Sequence, residues 1–497
     1  MTELAHPDRL AKIEAMRAEG LDPYPARGVA AEAIADLIAA LGTPEAPGPR
    51  AGTTATIAGR LLSQRDFGKL VFAPVLDRSG RLQIGLERDR LGDWWPKRKW
   101  LDGGDLVGAT GVLGHTKKGE PTLWVTELTL LAKSVAPPPE KWHGLVDVEA
   151  RYRRRYVDLW ASEGVSAVFL KRSRIVSAIR RFLEAQGYIE VETPTLHPIL
   201  GGAAARPFTT HYNALDHDFF LRIAPELYLK RCIVGGLERV FEIARNFRNE
   251  GLSPRHNPEF SMLELYEAQA DYRRMMEISE TMIESIAREV NGTTSVRFRG
   301  VDYDLRAPFE RASYLELFEK HAGCAYDDQP GVRAKARELS IPDPGNFSKL
   351  SNDVFEACVE DHLHGPVIVY DYPVEISPLA KRKPGAPKIA ERFEIFLGGM
   401  ELGNAFSELN DPADQYQRFA EQVASKDPEA PGEIDIDYVQ ALEYGMPPAG
   451  GLGIGIDRLV MVLTGQDTIR DVLLFPALRP RSFESGESGE VVTPKKT

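Results

Sequence analysis

The stretch RVFEIARNFRNEGLSPRHNPEFSMLELYEA, Arg239–Ala268, decides the fold. Each arm carries apolar residues at alternate positions, the period of a strand whose side chains point to opposite faces. Between the arms stand Gly251, Ser253-Pro254 and Asn257-Pro258, all turn formers. The segment reads as a β-hairpin. If the first strand runs on to Glu250, period two puts Val240, Glu242, Ala244, Asn246, Arg248 and Glu250 on one face. The returning strand puts Phe260, Met262, Glu264 and Tyr266 on one face. Arg245 has the opposite parity to Arg248. Exposed hairpins often carry ion pairs, but a charged face that continues into a Phe-Met-Glu-Tyr row is odd for a solvent face. A binding surface is the better reading.

A second hairpin follows in RFEIFLGGMELGNAFSELND, Arg392–Asp411, with Gly398-Gly399 as a two-residue loop. That register pairs Leu397 with Met400, sets Glu401 opposite Phe396, and places Glu394, Phe396 and Glu401 on one face. Two carboxylates in one cleft repel each other unless a cation lies between them. Mg²⁺ suits such a pair, because it takes one or two carboxylates and completes its shell with substrate phosphates. Two solvated surface acids are the alternative. Asn404, Phe406 and Glu408 fall on the opposite parity, so a twist or bulge near Gly403 must re-aim the strand if they serve the same site. A third segment, GLGIGIDRLVMVLTG, Gly451–Gly465, reads as a strand whose backbone can be approached closely. Asp457-Arg458 then opens an apolar helix. The glycine spacing is not that of a dinucleotide fingerprint, and GxxxxGK[ST] does not occur.

With 497 residues the chain exceeds one ordinary core. Residues 7–19 and 31–41 carry helical patterns. From Thr54 the period shortens to five strands, which fits an OB-fold and other small barrels alike. Three consecutive prolines, Pro137–Pro139, mark a linker. The expected division is a helical extension at 1–53, a barrel at 54–134, a linker at 135–150, a larger α+β region at 151–481 and an unpatterned polar tail at 482–497. The net charge of −12 is mild evidence against nucleic-acid binding, though Arg151–Arg155 and Lys171–Arg174 are local basic clusters. The three cysteines show no CxxC spacing, which argues against a disulfide scaffold or a Cys-rich zinc site. No signal peptide and no bilayer-length apolar run is visible, so a soluble cytoplasmic protein is expected.

Taken together, the segments resemble the class II aminoacyl-tRNA synthetases, and most closely the bacterial lysyl-tRNA synthetases. GYIEVETPTL matches motif 1, FRNE with RHNPEF matches motif 2, and GLGIGIDR matches motif 3. RYRRRYVDL, GGAAARPF, APELYLKR, PVEISPLAKR and ELGNAFSELND look like signatures of the lysine enzymes. The resemblance covers nearly the whole chain. It implies an α+β protein: an N-terminal OB-fold barrel, then a catalytic domain with a mostly antiparallel sheet flanked by helices, in a homodimer with motif 1 at the interface. It also implies the reaction: lysine and ATP form lysyl-adenylate, and lysine passes to the 3′ end of tRNA(Lys).

The same resemblance assigns roles. Arg248 would bridge the lysine carboxylate and the α-phosphate. Phe260 would stack on adenine with Arg458 on its other face. Glu250 and Asn257 would hold the adenine edge or its surroundings, and His256 would lie near the phosphates. Glu394 and Glu401 would hold Mg²⁺. Glu264, Tyr266 and Glu408 would receive the side-chain ammonium. Glu226 and the Gly202 backbone would receive the α-amino group, and Asn404 and Phe406 would line the pocket. In the barrel, Phe72, Gln83 and Glu127 would read the anticodon, with Arg65 and Lys69 reaching phosphates. Gly85 departs from relatives that carry a large residue there. Three other readings compete. A protein-lysylating relative would lack the barrel. An inactive RNA-binding paralogue would have lost Arg248, Glu394, Glu401 or Arg458. An aspartyl or asparaginyl enzyme would not offer Glu264 and Glu408 to an acid.

Overall fold

A computed structural model describes residues 4–43, 46–139, 144–425 and 432–480. The expected tail at 482–497 and part of the expected linker lie outside the described residues. The chain forms two compact units, Met1–Val165 and Ser166–Thr497. This division falls later than the linker, because two short helices, Val148–Arg153 and Arg155–Ala161, pack within the first unit. There the Arg60 guanidinium lies 4.7 Å from the Trp160 ring centre.

The first unit holds helices Pro7–Ala18 and Ile34–Leu41 and a barrel of β1 (Gly48–Leu61), β2 (Leu70–Leu76), β3 (Arg81–Glu87), β4 (Leu106–His115) and β5 (Pro121–Ala132). β1 begins earlier than Thr54, the position at which the sequence pattern changes period. The order β1-β4-β5-β3-β2 closes on itself where Arg60 pairs with Leu76. Val71, Ala73 and Val75 of β2 point inward, where Ile57, Ile84 and Val125 meet them. Phe72 lies between these inward positions, on the outer face. Each fully enclosed aliphatic side chain of this core contributes ~1.5–3 kcal/mol.

The second unit is built on one sheet. Its strands are β6 (Ile189–Glu190), β7 (Arg239–Phe247), β8 (Glu259–Ala268), β9 (Glu310–Ser313), β10 (Val367–Tyr370), β11 (Arg392–Phe396), β12 (Glu401–Ser407) and β13 (Ala449–Gly455). The order is β9-β10-β11-β12-β13-β8-β7-β6, antiparallel throughout its middle and parallel only at its two edges. One face carries Phe241, Leu263, Leu265, Ile395, Ala405, Leu452 and Ile454. Apolar residues of helices Val165–Glu184, Tyr272–Asn291 and Ile456–Thr464 cover it. The helix Tyr272–Asn291 starts where the Asp271 carboxylate accepts from Arg273 and Arg274 N–H, and stops at Gly292, whose φ is +74°. The opposite face holds the site.

The hairpin of β7 and β8 forms as expected, with Val240 opposite Tyr266, Glu242 opposite Glu264 and Asn246 opposite Phe260. The first strand is shorter than expected. It ends at Phe247, so Arg248 and Glu250 are not strand residues. Arg248 N–H still donates to Pro258 O at 2.8 Å, but Pro258 has no N–H to return and the ladder stops.

Candidate active site

β8 lies between β7 and β13, and its site-face residues meet glycines across β13. Tyr266 is opposite Gly451, Glu264 opposite Gly453 and Met262 opposite Gly455. A Cβ on Gly451 would stand 2.0 Å from Glu408 Oε1 and 2.5 Å from Tyr266 Cε1, and one on Gly453 would stand 2.5 Å from Met262 Cε. The strand is glycine-rich because side chains of its neighbours lie flat on its backbone. A Cβ on Gly455 would meet only the Arg458 side chain, at an ordinary van der Waals distance of 3.7 Å.

The second hairpin shows how residues of mixed parity reach one face. Glu394 pairs with Asn404 and Ile395 with Gly403, but Phe396 pairs with Glu401. The register slips by one at Leu402. That unpaired residue turns into the core at 2 % exposure, while Glu401 joins Asn404 and Phe406 on the site face. This is the bulge beside Gly403 that the sequence demands if both sets serve one site.

Two adjoining cavities result. The larger, about 350 Å³, is lined by Gly202, Glu226, Glu264, Tyr266, Asn404 and Phe406, among others. The smaller, about 110 Å³, is lined by Glu250, His256, Asn257, Phe260, Gly455 and Arg458, among others. Arg248, Met262 and Glu401 line both. Arg248 therefore stands at the junction. Its guanidinium carbon is 5.1 Å from the Phe260 ring centre, and its Nε is buried without a hydrogen-bond partner among the described residues. Arg245 is exposed.

Acid groups gather at the far end of the larger cavity, Glu226 and Glu264 in its wall and Glu408 behind Gly451. Burial, and then repulsion from Glu226, raise the Glu264 pKa to about 8. Its Oε2 accepts from Tyr266 OH at 3.3 Å. Glu408 is 1 % exposed, and its Oε1 has no hydrogen-bond partner among the described residues. Lys230, not singled out in the sequence, sits among these acids. Its Nζ donates to Glu226 Oε1 at 2.7 Å and is ion-paired with Glu408. Burial opposes its charge, but Glu226 and Glu408 outweigh burial and raise its pKa. The signal was present as Glu226 and Lys230, one helical turn apart.

At the other end Glu394 accepts from Tyr372 OH at 2.8 Å and from Arg392 Nη2 at 2.6 Å. Arg392 also donates from Nε to Asn404 Oδ1 at 3.0 Å. Neither Tyr372 nor Arg392 was singled out, since each needs the fold to reveal its partner. Glu401 Oε2 accepts from Arg458 Nη1 at 3.1 Å. Arg458 Nη2 donates to His256 Nε2 at 3.1 Å, which leaves Nδ1–H to donate to Ser253 Oγ at 2.9 Å. Partial burial, then Arg458 and Arg248, push the His256 pKa down, so the ring is neutral at pH 7. Arg458 is set in place by its neighbour Asp457, which is paired with Arg172 at 2.6 Å and accepts from Ser261 N–H at 2.8 Å. The ring contacting Arg248 is Phe260, while Arg458 is turned to Glu401 and His256. Both amide ends of Asn257 are engaged, by Glu259 O and Ala477 N–H. Asn257 therefore shapes the smaller cavity's wall.

The barrel presents a second constellation on its outer face. Arg65 Nη2 donates to Gln83 Oε1 at 2.8 Å, and Gln83 Nε2 to Thr122 Oγ1 at 2.9 Å. Phe72 is edge-on to Trp124 at 5.9 Å and to Phe67 at 6.1 Å. Trp124 occupies the space above Gly85, where a Cβ would stand 3.0 Å from its Cε3. The missing side chain at Gly85 is thus filled from the adjacent strand. Glu127 is exposed on β5, past a register slip after Trp124 and Val125.

The fold and site define the chain as a class II synthetase, and comparison with known proteins agrees. The family model for class II tRNA synthetases (D, K and N) matches residues 147–479, and that for the OB-fold nucleic acid binding domain matches residues 55–131. A curated protein of Carboxydothermus hydrogenoformans, named lysine–tRNA ligase, is 50% identical over 484 residues, which is 95% of this chain and 97% of that protein. Another of that name, from Moorella thermoacetica, is 54% identical over 86% of this chain and 90% of its own length. A third, from Chloroflexus aurantiacus, is 48% identical over 96% and 98%. The chain belongs to the lysine–tRNA ligase family of class II synthetases. No helix of the described residues is long and apolar enough to cross a membrane.

Gly451→Ala should destabilise the second unit by ~1–3 kcal/mol, because Glu408 and Tyr266 must move. Gly455→Ala should cost at most ~0.5 kcal/mol. Urea unfolding checks both, and equal midpoints would contradict the packing described at Gly451.

Proposed function

We propose that the chain activates L-lysine with ATP and transfers it to tRNA(Lys). The observation that carries this reading is the position of Arg248, at the junction of an acid-lined cavity and a second cavity that holds an aromatic ring. Lysine fits the first. Its ammonium is received by Glu264, Tyr266 and Glu408, its α-amino group by Glu226 and the Gly202 backbone, with Asn404 and Phe406 as walls. ATP fits the second. Phe260 and Arg458 flank the adenine, Glu250 meets its edge, and neutral His256 lies beside the phosphates. The lysine carboxylate is already ionised and needs no protein base to attack. Catalysis then consists of positioning and charge stabilisation. Arg248 aligns the carboxylate with the α-phosphate and sets its positive charge where negative charge develops.

Glu394 and Glu401 fit Mg²⁺ as a pair that substrate phosphates complete. Among the described residues no group of three or more His, Cys, Asp or Glu could hold a metal by itself. When bound, the ion neutralises phosphate charge. Arg392 and Tyr372 hold Glu394 in place for it.

The barrel reads the anticodon. Phe72, backed by Trp124, offers a ring for an unpaired base, and Gln83, Glu127 and Arg65 offer polar contacts around it, with Lys69 reaching toward phosphate. A homodimer through the motif 1 segment is supported by the exposed apolar side chains Leu170, Ile189 and Leu196. The reaction's need for tRNA supports a cytoplasmic location.

Arg248→Ala should abolish lysine-dependent ATP–pyrophosphate exchange; near-normal exchange would sink the assignment. Glu264 accepts an ammonium only as a carboxylate, and with its pKa at about 8 it is mostly protonated at pH 7. The lysine KM should fall about tenfold per pH unit up to pH ~8 and level off above, while Glu264→Gln should raise the KM and remove that slope. Phe72→Ala should weaken tRNA charging by about tenfold or more and spare adenylate formation. If exchange falls equally, Phe72 has a structural role instead.

A further inference from the structure

We propose that Lys230 is a specificity-determining residue: a built-in cation that sets the charge of the amino-acid cavity to match a ligand with two ammonium groups. The inference rests on the lysine reading of that cavity.

Lys230 lies on the helix Glu226–Val234 with its side chain wholly enclosed. Nζ is 2.7 Å from Glu226 Oε1, paired with Glu408, and 5.2 Å from the Phe406 ring centre. The next residue, Arg231, is turned elsewhere, to Asp435 and Asp437 at 3.0 Å. Three carboxylates gather here: Glu226 and Glu264 line this end of the cavity, and Glu408 lies enclosed behind Gly451. Lys230 cancels one of their charges. Once Glu264 has given up its proton to receive the ligand, the two that remain equal the α- and side-chain ammonium groups of lysine, and the ligand's carboxylate goes to Arg248. The other charged groups near this end have partners or solvent of their own, Glu242 being paired with Arg222. Arg392 is paired with Glu394, Asp435 with Arg231, and Glu433 lies on the exposed rim.

Lys230 also aims Glu408. One carboxylate oxygen is held on Nζ, and the other, Oε1, is left buried, unpartnered and directly over Gly451. A single acceptor is thus held in a fixed direction behind Gly451, which lines the cavity. A plain structural pin would account for the enclosure of Lys230. It would not require two acids on one base, nor a buried acceptor left without a partner beside it.

The charge count yields a sign reversal. Glu226→Gln leaves one net negative charge for two ammonium groups, so it should raise the lysine KM. Adding Lys230→Met restores two, so the double variant should bind lysine more tightly than Glu226→Gln alone. In the otherwise wild-type protein Lys230→Met should raise the lysine KM about 100-fold, with the ATP KM unchanged. All are measured on the full chain by ATP–pyrophosphate exchange, with thermal unfolding recorded for each. A lysine KM within twofold of wild type for Lys230→Met would overturn the proposal. So would losses in the double variant that simply add. Should Lys230→Met not fold, the double variant against Glu226→Gln decides the matter, since it removes Lys230 together with one of its two acidic partners. If the wild-type protein shows no lysine-dependent exchange, the reading of the cavity falls and this proposal with it. Intact wild-type exchange without the sign reversal overturns the role of Lys230 alone.

Discussion

Like charges enclosed in one cavity must be compensated, and the catalytic unit is arranged around that requirement. Glu226, Glu264 and Glu408 converge at one end of the site and Glu394 and Glu401 at the other. Each cluster has its own cation, Lys230 for the first and Arg392 with Arg458 for the second. Arg248 lies between the clusters without an acidic partner of its own among the described ion pairs. The two ends therefore make different demands on a ligand. The first lacks positive charge and the second can accept a cation with phosphates, while Arg248 is available to an anion where they meet. An amino acid with a cationic side chain and a nucleoside triphosphate satisfy all three demands together.

Such a density of acids needs space, and the sheet supplies it by omission. Gly451 and Gly453 carry no side chain, so Tyr266, Glu408 and Met262 rest on the backbone of β13. Gly455 leaves the smaller cavity open in the same way. The strand then passes directly into the helix Ile456–Thr464, whose Asp457 is 2 % exposed and tied to two other elements. Packing on the rear of the sheet thereby governs where Arg458 stands on the front.

Much of this was legible in the sequence because strands have period two. The rows Val240–Asn246 and Phe260–Tyr266 were placed on one face from parity alone, and the pairing of Phe396 with Glu401 followed from a two-residue loop. Parity failed where the ladder did. Arg248 and Glu250 were assigned to a strand that ends at Phe247, since periodicity does not register the hydrogen bond that Pro258 cannot return. Lys230, Arg392 and Tyr372 escaped notice for another reason. Each is a polar residue within an ordinary-looking segment, and its meaning depends on partners brought by other elements. Glu226 with Lys230 is the exception, being close in sequence, though nothing local shows that Glu408 completes the group. On the barrel, the absence at Gly85 was visible, but its compensation by Trp124 required the register of β3 on β5.

The bulge at Leu402 joins these points. In a regular strand Glu401 and Asn404 face opposite ways, and one hairpin could serve either the phosphate end or the amino-acid end. One extra residue, turned into the core, lets the strand present Glu401, Asn404 and Phe406 together, and carries the chain on to Glu408. The stabilisation from enclosing Leu402, ~1.5–3 kcal/mol, offsets the lost ladder pairing. The irregularity that joins the two cavities is thus held in place by the hydrophobic core behind the sheet.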